Sequence, residues 1–376
     1  MTQTHQQNDQ EPNTRFCWWK TVPDFTSLKT SSSPSCLSIV KVLREMERLC
    51  SISEHGLDEL KHKLMVYKAG DFWLPIGGLK KENMDIPSEV TVLLVGLSGS
   101  GKSSLVNLMY GVLGRSGLIP FSQTSNESSK YSTMILEEHN VLRSTRNGFC
   151  VYDSRGLDFT RMGECLDEVT RWITDGVRHN EPCLFGEDVV DTSLNCSSDG
   201  FVRRKVNYVV VVVDLTDVYK AFFCGGDFKR VLAIKSLFHC PSIRTSNADP
   251  LLILTHGDML KPMERLNCRI KICSYLGIPV TTGVYDIVCL SEQGILPEEA
   301  DPVTCFALTE AIYRAILQSD RTHSPKKTWK DCFVDILSRV MCSLAYFFAM
   351  LSRVFQEWGD KNKIVELTKV SLRKNR

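Results

Sequence analysis

Val90-Thr-Val-Leu-Leu-Val95-Gly96-Leu-Ser-Gly-Ser-Gly-Lys102-Ser103, continuing to Leu113, spells a strand, a glycine-rich turn and a helix in immediate succession. The β-branched and apolar run Val90, Val92, Leu93, Leu94, Val95 reads as a buried strand. A helix opens at Lys102, with Leu105, Val106, Leu108, Met109 and Leu113 as its apolar positions. Between them Gly96–Ser103 fits G-x-x-x-x-G-K-[ST] at every specified position, in the strand–turn–helix context that gives the pattern its meaning. Gly96, Gly99 and Gly101 permit dihedrals that Cβ-bearing residues avoid, so successive N–H groups can turn inward onto an anion. The residues that would line this nest are Gly96, Leu97, Ser98, Gly99, Ser100, Gly101, Lys102, Ser103 and Ser104, with the positive end of the helix behind them. Lys102 is spaced to reach the β- and γ-phosphates, and the Ser103 hydroxyl to ligand Mg²⁺. A βα turn that binds nothing needs neither the Lys-Ser pair nor three glycines. The turn reads as a nucleotide site.

The chain has 376 residues, enough for one large domain or two smaller ones. Its formal net charge of +1 gives no reason to expect nucleic-acid binding. The 15 cysteines are scattered, odd in number and without a C-x-x-C pair, so reduced thiols in an intracellular compartment are expected rather than zinc or disulfides. No secretory apolar region opens the chain, and a cytoplasmic location follows as the expectation, with membrane association left open.

In order, 1–36 is polar and reads as a disordered tail, although Phe16, Trp18, Trp19 and Phe25 could dock. Residues 37–85 read as a helical extension and loop, with two stripes (Ile39 to Leu49, Leu57 to Met65) divided by Gly56 into a hairpin. Residues 86–320 carry alternating strands and helices, implying a mainly parallel α/β sheet in three layers. Thr133–Leu142, Phe149–Asp153, Val206–Val213, Leu251–Leu254 and Ile287–Leu290 are its further strands. Arg178 to Arg204 is a long polar connection, so either functional or flexible. The ligand residues of such a sheet sit at strand C-terminal ends. There stand Asp153-Ser-Arg-Gly156, Thr255-His256-Gly257-Asp258 and Ser291.

Asp153-x-x-Gly156 is the arrangement in which a strand-end carboxylate supports Mg²⁺ and a glycine N–H meets the γ-phosphate. With these motifs quoted, the region from Val90 to Leu317 resembles the translation-factor-like class of GTPases, and within it the septin, immune-associated and chloroplast-import branch. Its overall character is similar to plant P-loop NTPase superfamily proteins. The resemblance implies a P-loop NTPase fold, GTP/GDP and Mg²⁺ as ligands, and base recognition by Thr255, His256 and Asp258, with Ser291 in the last base-contacting loop. Asp258 can accept from guanine N1 and N2, a donor pair adenine lacks. Thr255 and His256 stand where the wider class has Asn and Lys. A further departure is Leu157, where Ras-like enzymes place a water-orienting Gln. Intrinsic hydrolysis is therefore expected to be slow, with Lys102, Gly156 and Arg155 as the candidate catalytic groups; Arg155 could equally be a solvated loop residue. Ser103 and Asp153 are the candidate Mg²⁺ ligands, joined by a switch threonine for which Thr133 is preferred over Thr124 and Ser132.

Three functional readings follow. The first is Mg²⁺-dependent guanine-nucleotide binding with slow hydrolysis, as a switch or assembly protein, with a homodimer through the nucleotide face as one source of the missing group. The others are an ATP-binding P-loop enzyme and a non-hydrolysing scaffold stabilised by nucleotide. Residues 321–376 read as a basic linker and a helix from Phe333 to Trp358. Its uncharged run between Arg339 and Arg353 falls short of a membrane span. Packing on the nucleotide domain, contact with a membrane surface and a short tail anchor all remain open.

Overall fold

A computed structural model describes residues 17–22, 34–75, 77–114, 134–142, 148–183, 200–244, 249–289, 301–326, 333, 336–353 and 356. Two compact units divide the chain: 1–81 with 86–323, and 82–85 with 324–376.

In the first unit the strands are β1 (Val90–Val95), β2 (Ile135–His139), β3 (Phe149–Asp153), β4 (Glu181–Pro182), β5 (Tyr208–Asp214), β6 (Leu251–Thr255) and β7 (Val284–Asp286). The helices are α1 (Pro34–Val66), α2 (Lys102–Leu113), α3 (Met162–Asp175), α4 (Leu215–Phe223), α5 (Lys229–Phe238), α6 (Pro262–Leu276) and α7 (Pro302–Arg321). The sheet order is β4-β2-β3-β1-β5-β6-β7. β3, β1, β5, β6 and β7 run parallel, while β2 and β4 close one edge antiparallel.

Both faces of the central strands are covered, as their valine-rich sequences require. Tyr208, Val210 and Val212 of β5 point into a core shared with α1, α2 and α7. Val209, Val211 and Val213 point into a second core shared with α3 to α6. This is the mostly parallel three-layer α/β architecture of P-loop NTPases.

Three sequence expectations are corrected. The hairpin over 37–67 is one helix, α1, of 33 residues. Gly56 does not break it: a Cβ there would lie 2.7 Å from Ile52 Cγ2 and 2.9 Å from Phe306 Cε2, so the glycine allows α1 to lie close against α7. The last strand is Val284–Asp286, not Ile287–Leu290. The strand holds a carboxylate, Asp286, which is kept inside by a two-pronged ion pair with Arg265, its Nε at 2.6 Å. Within the expected tail, Trp18–Thr21 forms a 3₁₀ turn; Trp19 is buried and its Nε1 donates to Glu47 at 2.8 Å.

In the second unit, Ile336–Arg353 is an 18-residue helix with no part of it buried, long and apolar enough to cross a membrane by length and composition. The run between Arg339 and Arg353 is shorter because the helix extends past Arg339 to Ile336 and includes Arg353.

Asp320 near the end of α7 ties the chain before β1 to the first unit. Its carboxylate accepts from Tyr67 Oη, from the N–H of Gly70 and of Phe72, each at 2.9 Å, and its side chain is fully buried. Removing the acceptor leaves several interior donors unmet, each costly. Asp320→Ala should lower unfolding free energy by about 3–5 kcal/mol, measured by urea denaturation of the full chain. A loss under about 1 kcal/mol would show that water replaces the carboxylate.

Candidate nucleotide site

β1 enters the loop at Gly96, and the reason for that glycine differs from the one its pattern suggests. Its φ is ordinary; a Cβ at this position would lie 2.3 Å from the Val212 carbonyl oxygen of β5. Close approach demands it. Gly99 (φ +81°) and Gly101 (φ +82°) supply the left-handed dihedrals expected of them. Gly101 then caps α2, leaving the first-turn N–H groups of Lys102, Ser103 and Ser104 directed out of the helix end.

Four contacts brace the loop. Ser98 N–H donates to the Leu157 carbonyl and Leu157 N–H to the Gly96 carbonyl, both at 3.0 Å, so the loop is zipped to the segment after Asp153. Gly156 lies within that segment, where a Cβ would stand 2.5 Å from Ser98 Cα. Thr255 Oγ1 donates to the Ser100 carbonyl at 2.9 Å, bringing the end of β6 against the loop. Arg230 Nη2 of α5 donates to the Ser98 carbonyl at 3.1 Å.

The Lys102 side chain is buried, its Nζ donating towards the Gly96 and Leu97 carbonyls at 3.2 and 3.4 Å. Burial pushes its ammonium below the ordinary value, opposed by Asp153. Ser103 Oγ donates to Asp153 Oδ2 at 2.6 Å, joining the first turn of α2 to the end of β3. Asp153 is fully buried, and burial pushes its carboxyl up against the pull of Lys102 and the Ser103 bond. Paired hard oxygens, one a carboxylate whose charge is penalised by its surroundings, fit Mg²⁺.

Arg155 is not a solvated loop residue. It is buried, and Nη1 donates to the Cys183 carbonyl at 3.1 Å. Leu157 is wholly buried in the second core, where a polar amide would be desolvated. Thr133, with Thr124 and Ser132, and Ser291 lie outside the described residues.

Two groups at the site carried little sequence signal. Asp214, ending β5, caps α4 through Thr216 N–H at 2.7 Å and accepts from His256 Nδ1 at 3.1 Å. Arg230 stands in an ordinary amphipathic helix with nothing in its neighbours to mark it. His256 holds φ +56°, a left-handed conformation that costs a non-glycine residue on the order of 1 kcal/mol and recurs at functional sites. Asp258, two residues on, is exposed.

Sheet order, the zipped glycine loop and the Ser103–Asp153 pair at adjacent strand ends now stand together. The chain has a nucleotide-binding P-loop NTPase fold. No protein-family model matches it. It is similar to the molybdenum import ATP-binding protein ModC of Haemophilus influenzae, 23% identical over 222 residues, covering 57% of this chain and 53% of ModC. The teichoic acids export ATP-binding protein TagH of Enterococcus faecalis is 25% identical over 196 residues, covering 49% of this chain and 40% of TagH. The putative hemin import ATP-binding protein HrtA of Staphylococcus haemolyticus is 24% identical over 223 residues, covering 59% and 89%. The chain thus spans about half the length of the first two relatives. An Aquifex aeolicus Era variant bound to GDP.AlF4- superposes with TM-score 0.35 at 13% identity, over 63% of this chain and 59% of that one.

The His256–Asp214 pair should tie part of the stability of this fold to pH. The bond to Asp214 raises the imidazole above its ordinary 6.5, with desolvation opposing and Asp258 and Asp217 adding. A raised folded value means that the stabilisation is full below about pH 6.5 and fades as pH climbs through the folded value. In an NMR titration His256 should therefore titrate above free histidine. Asp214→Asn, which keeps an α4 cap, should return it towards 6.5 and abolish the pH-dependent part of the stability difference.

Proposed function

We propose that this P-loop NTPase binds GTP and GDP with Mg²⁺ and hydrolyses GTP slowly, as a nucleotide-dependent switch or assembly protein. The observation that carries the reading is the Thr255 hydroxyl bond to the Ser100 carbonyl. It seats the Thr255–Asp258 loop beside the phosphate loop, with Asp258 exposed at its outer end, where a base joined to phosphates in the loop would meet it. A carboxylate accepts from guanine N1 and N2 together; adenine offers no such pair. His256, held by Asp214, is the second base-facing group.

The division of labour follows from the side chains. The phosphate loop from Gly96 to Ser104 binds the phosphates through its N–H groups, and Lys102 spreads their charge. Ser103 and Asp153 would hold Mg²⁺, which would supply charge neutralisation for the phosphates. The N–H of Gly156, packed on Ser98, is the group through which the γ-phosphate acts on the segment beyond Asp153. Leu157 cannot orient water, which keeps turnover low unless a second copy facing the nucleotide supplies a group. The similarity to ATP-binding transport proteins favours ATP as the second reading.

Purified chain should be titrated with GTP, GDP and ATP in Mg²⁺, as wild type and as Asp258→Ala. Loss of two bonds to a charged acceptor, at about 1.5 kcal/mol each, corresponds to roughly a hundredfold weaker guanine binding, with ATP unaffected. ATP binding equal to or better than GTP, indifferent to the substitution, overturns the guanine assignment.

The exposed C-terminal helix supports a further partner of this same protein, an anionic membrane surface. Twelve Lys and Arg against five Asp and Glu lie between 321 and 376, flanking exposed Val340, Leu344, Phe347 and Phe348. The full chain should float with phosphatidylserine-containing vesicles and release when Phe347 and Phe348 are both changed to Glu. Equal flotation of the doubly substituted chain rules the helix out as the anchor.

A further inference from the structure

Arg230 is the feature of the site that the proposed nucleotide chemistry leaves unused. It sits at the start of α5, 132 residues from Ser98 in sequence, and its guanidinium meets three parts of the site at once. Nη2 donates to the Ser98 carbonyl at 3.1 Å. Nε donates to Asp217 Oδ2 at 2.7 Å, and Asp217 belongs to the first turn of α4, which Asp214 caps. The guanidinium carbon lies 5.2 Å from the ring centre of Phe159, two residues beyond Leu157. The side chain is 30% exposed, and the carboxylate that holds it only 12%.

That geometry acts on the loop through the planarity of the peptide bond. In a trans peptide the carbonyl oxygen and the following N–H point in opposite directions and turn as one unit. Bonding the Ser98 oxygen therefore sets the direction of the Gly99 N–H. Gly99, at φ +81°, has no side chain to restrict that rotation itself. Ser98 N–H is committed to Leu157 and the Ser98 carbonyl to Arg230, so the Ser98–Gly99 peptide is held at its oxygen from α5. Asp217 and Phe159 stop the long arginine stem from wandering, so the donor is presented in one place.

We propose that Arg230 is a positioning residue for triphosphate hydrolysis: clamped by Asp217 and Phe159, it fixes the Ser98–Gly99 peptide so that the Gly99 N–H is presented to the terminal phosphates. It rests on the reading that this chain hydrolyses a nucleoside triphosphate. The arrangement also links Ser98, on which Gly156 packs, to Phe159 just beyond it. Arg230 thereby couples the loop to the segment that follows Asp153. It touches no reacting atom itself; its effect passes through a backbone N–H whose aim matters most when charge builds on the phosphate oxygens.

The test compares wild type, Arg230→Met and Arg230→Lys in the full chain, with kcat and KM for GTP, Kd for GDP, and thermal melting. ATP replaces GTP if it is the triphosphate turned over. Methionine keeps an apolar stem against Phe159 but cannot donate; lysine restores a donor for the Ser98 carbonyl without the fork that also holds Asp217. Arg230→Met should lose roughly tenfold to a hundredfold in kcat, the scale of a small misplacement of a catalytic donor. Its GDP affinity should stay within about twofold of wild type, since the loss concerns the terminal phosphates, while its melting temperature should fall only by the cost of leaving Asp217 without its guanidinium partner. Arg230→Lys should recover part of the rate. Overturning results are a methionine variant that turns over like wild type, or one that loses GDP binding, rate and melting temperature together, which is the mark of a merely structural residue. Wild type that binds nucleotide without any turnover refutes the hydrolysis reading itself, and this inference with it. Wild-type turnover with an indifferent variant refutes the inference alone.

Discussion

β1 is paired on both edges and buried on both faces, and the site depends on that confinement. It pairs with β3 over Val90–Leu93 and with β5 over Val92–Val95, and its five apolar side chains lie in one or other of the two cores. A strand so enclosed can end only where its neighbours end, so the chain leaves the sheet at Gly96 with no lateral freedom. The close approach of Gly96 to the β5 backbone is the visible cost of this packing. In return, the ends of β3, β5 and β6 arrive around the loop at fixed heights. Asp153 reaches Ser103, Thr255 reaches Ser100, and Asp214 reaches His256 because parallel register places them there.

Electrostatics then divides the site into an inner and an outer half. Lys102 and Asp153 lie deep, each penalised by burial and each eased by the other. A ligand that brings phosphates and a divalent cation supplies both of the partners this interior lacks water to provide. Towards solvent stand the half-exposed His256 and the exposed Asp258, where hydrogen bonds discriminate shape more than they supply stability.

What could be read from the amino-acid order was whatever is local. The glycine loop, the strand-end Asp153 and the valine run of β5 carry their meaning within a few residues, and they stand where the pattern implied. The contacts that complete the site do not. Thr255 and Ser100 are 155 residues apart, and Arg230 and Ser98 are 132 apart, so nothing in either neighbourhood announces the other. Two misplacements have the same origin. β7 contains Asp286, tolerated only because Arg265 meets it from α6. Gly56 looks like a break, yet it serves a crossing with Phe306 of α7 that only the folded chain reveals.

The enclosure of Leu157 carries an energetic consequence for the segment around it. Its N–H and carbonyl are both engaged by the loop, and its side chain is sealed in the second core. Pulling this residue away forfeits two backbone bonds at about 1 kcal/mol each and about 2 kcal/mol of apolar burial. On these magnitudes a displaced form would hold only about a thousandth of the population, a gap of roughly 4 kcal/mol. A segment so held would open only past that threshold. Ligands whose preference between the two forms falls below that threshold leave it shut, however tightly they bind.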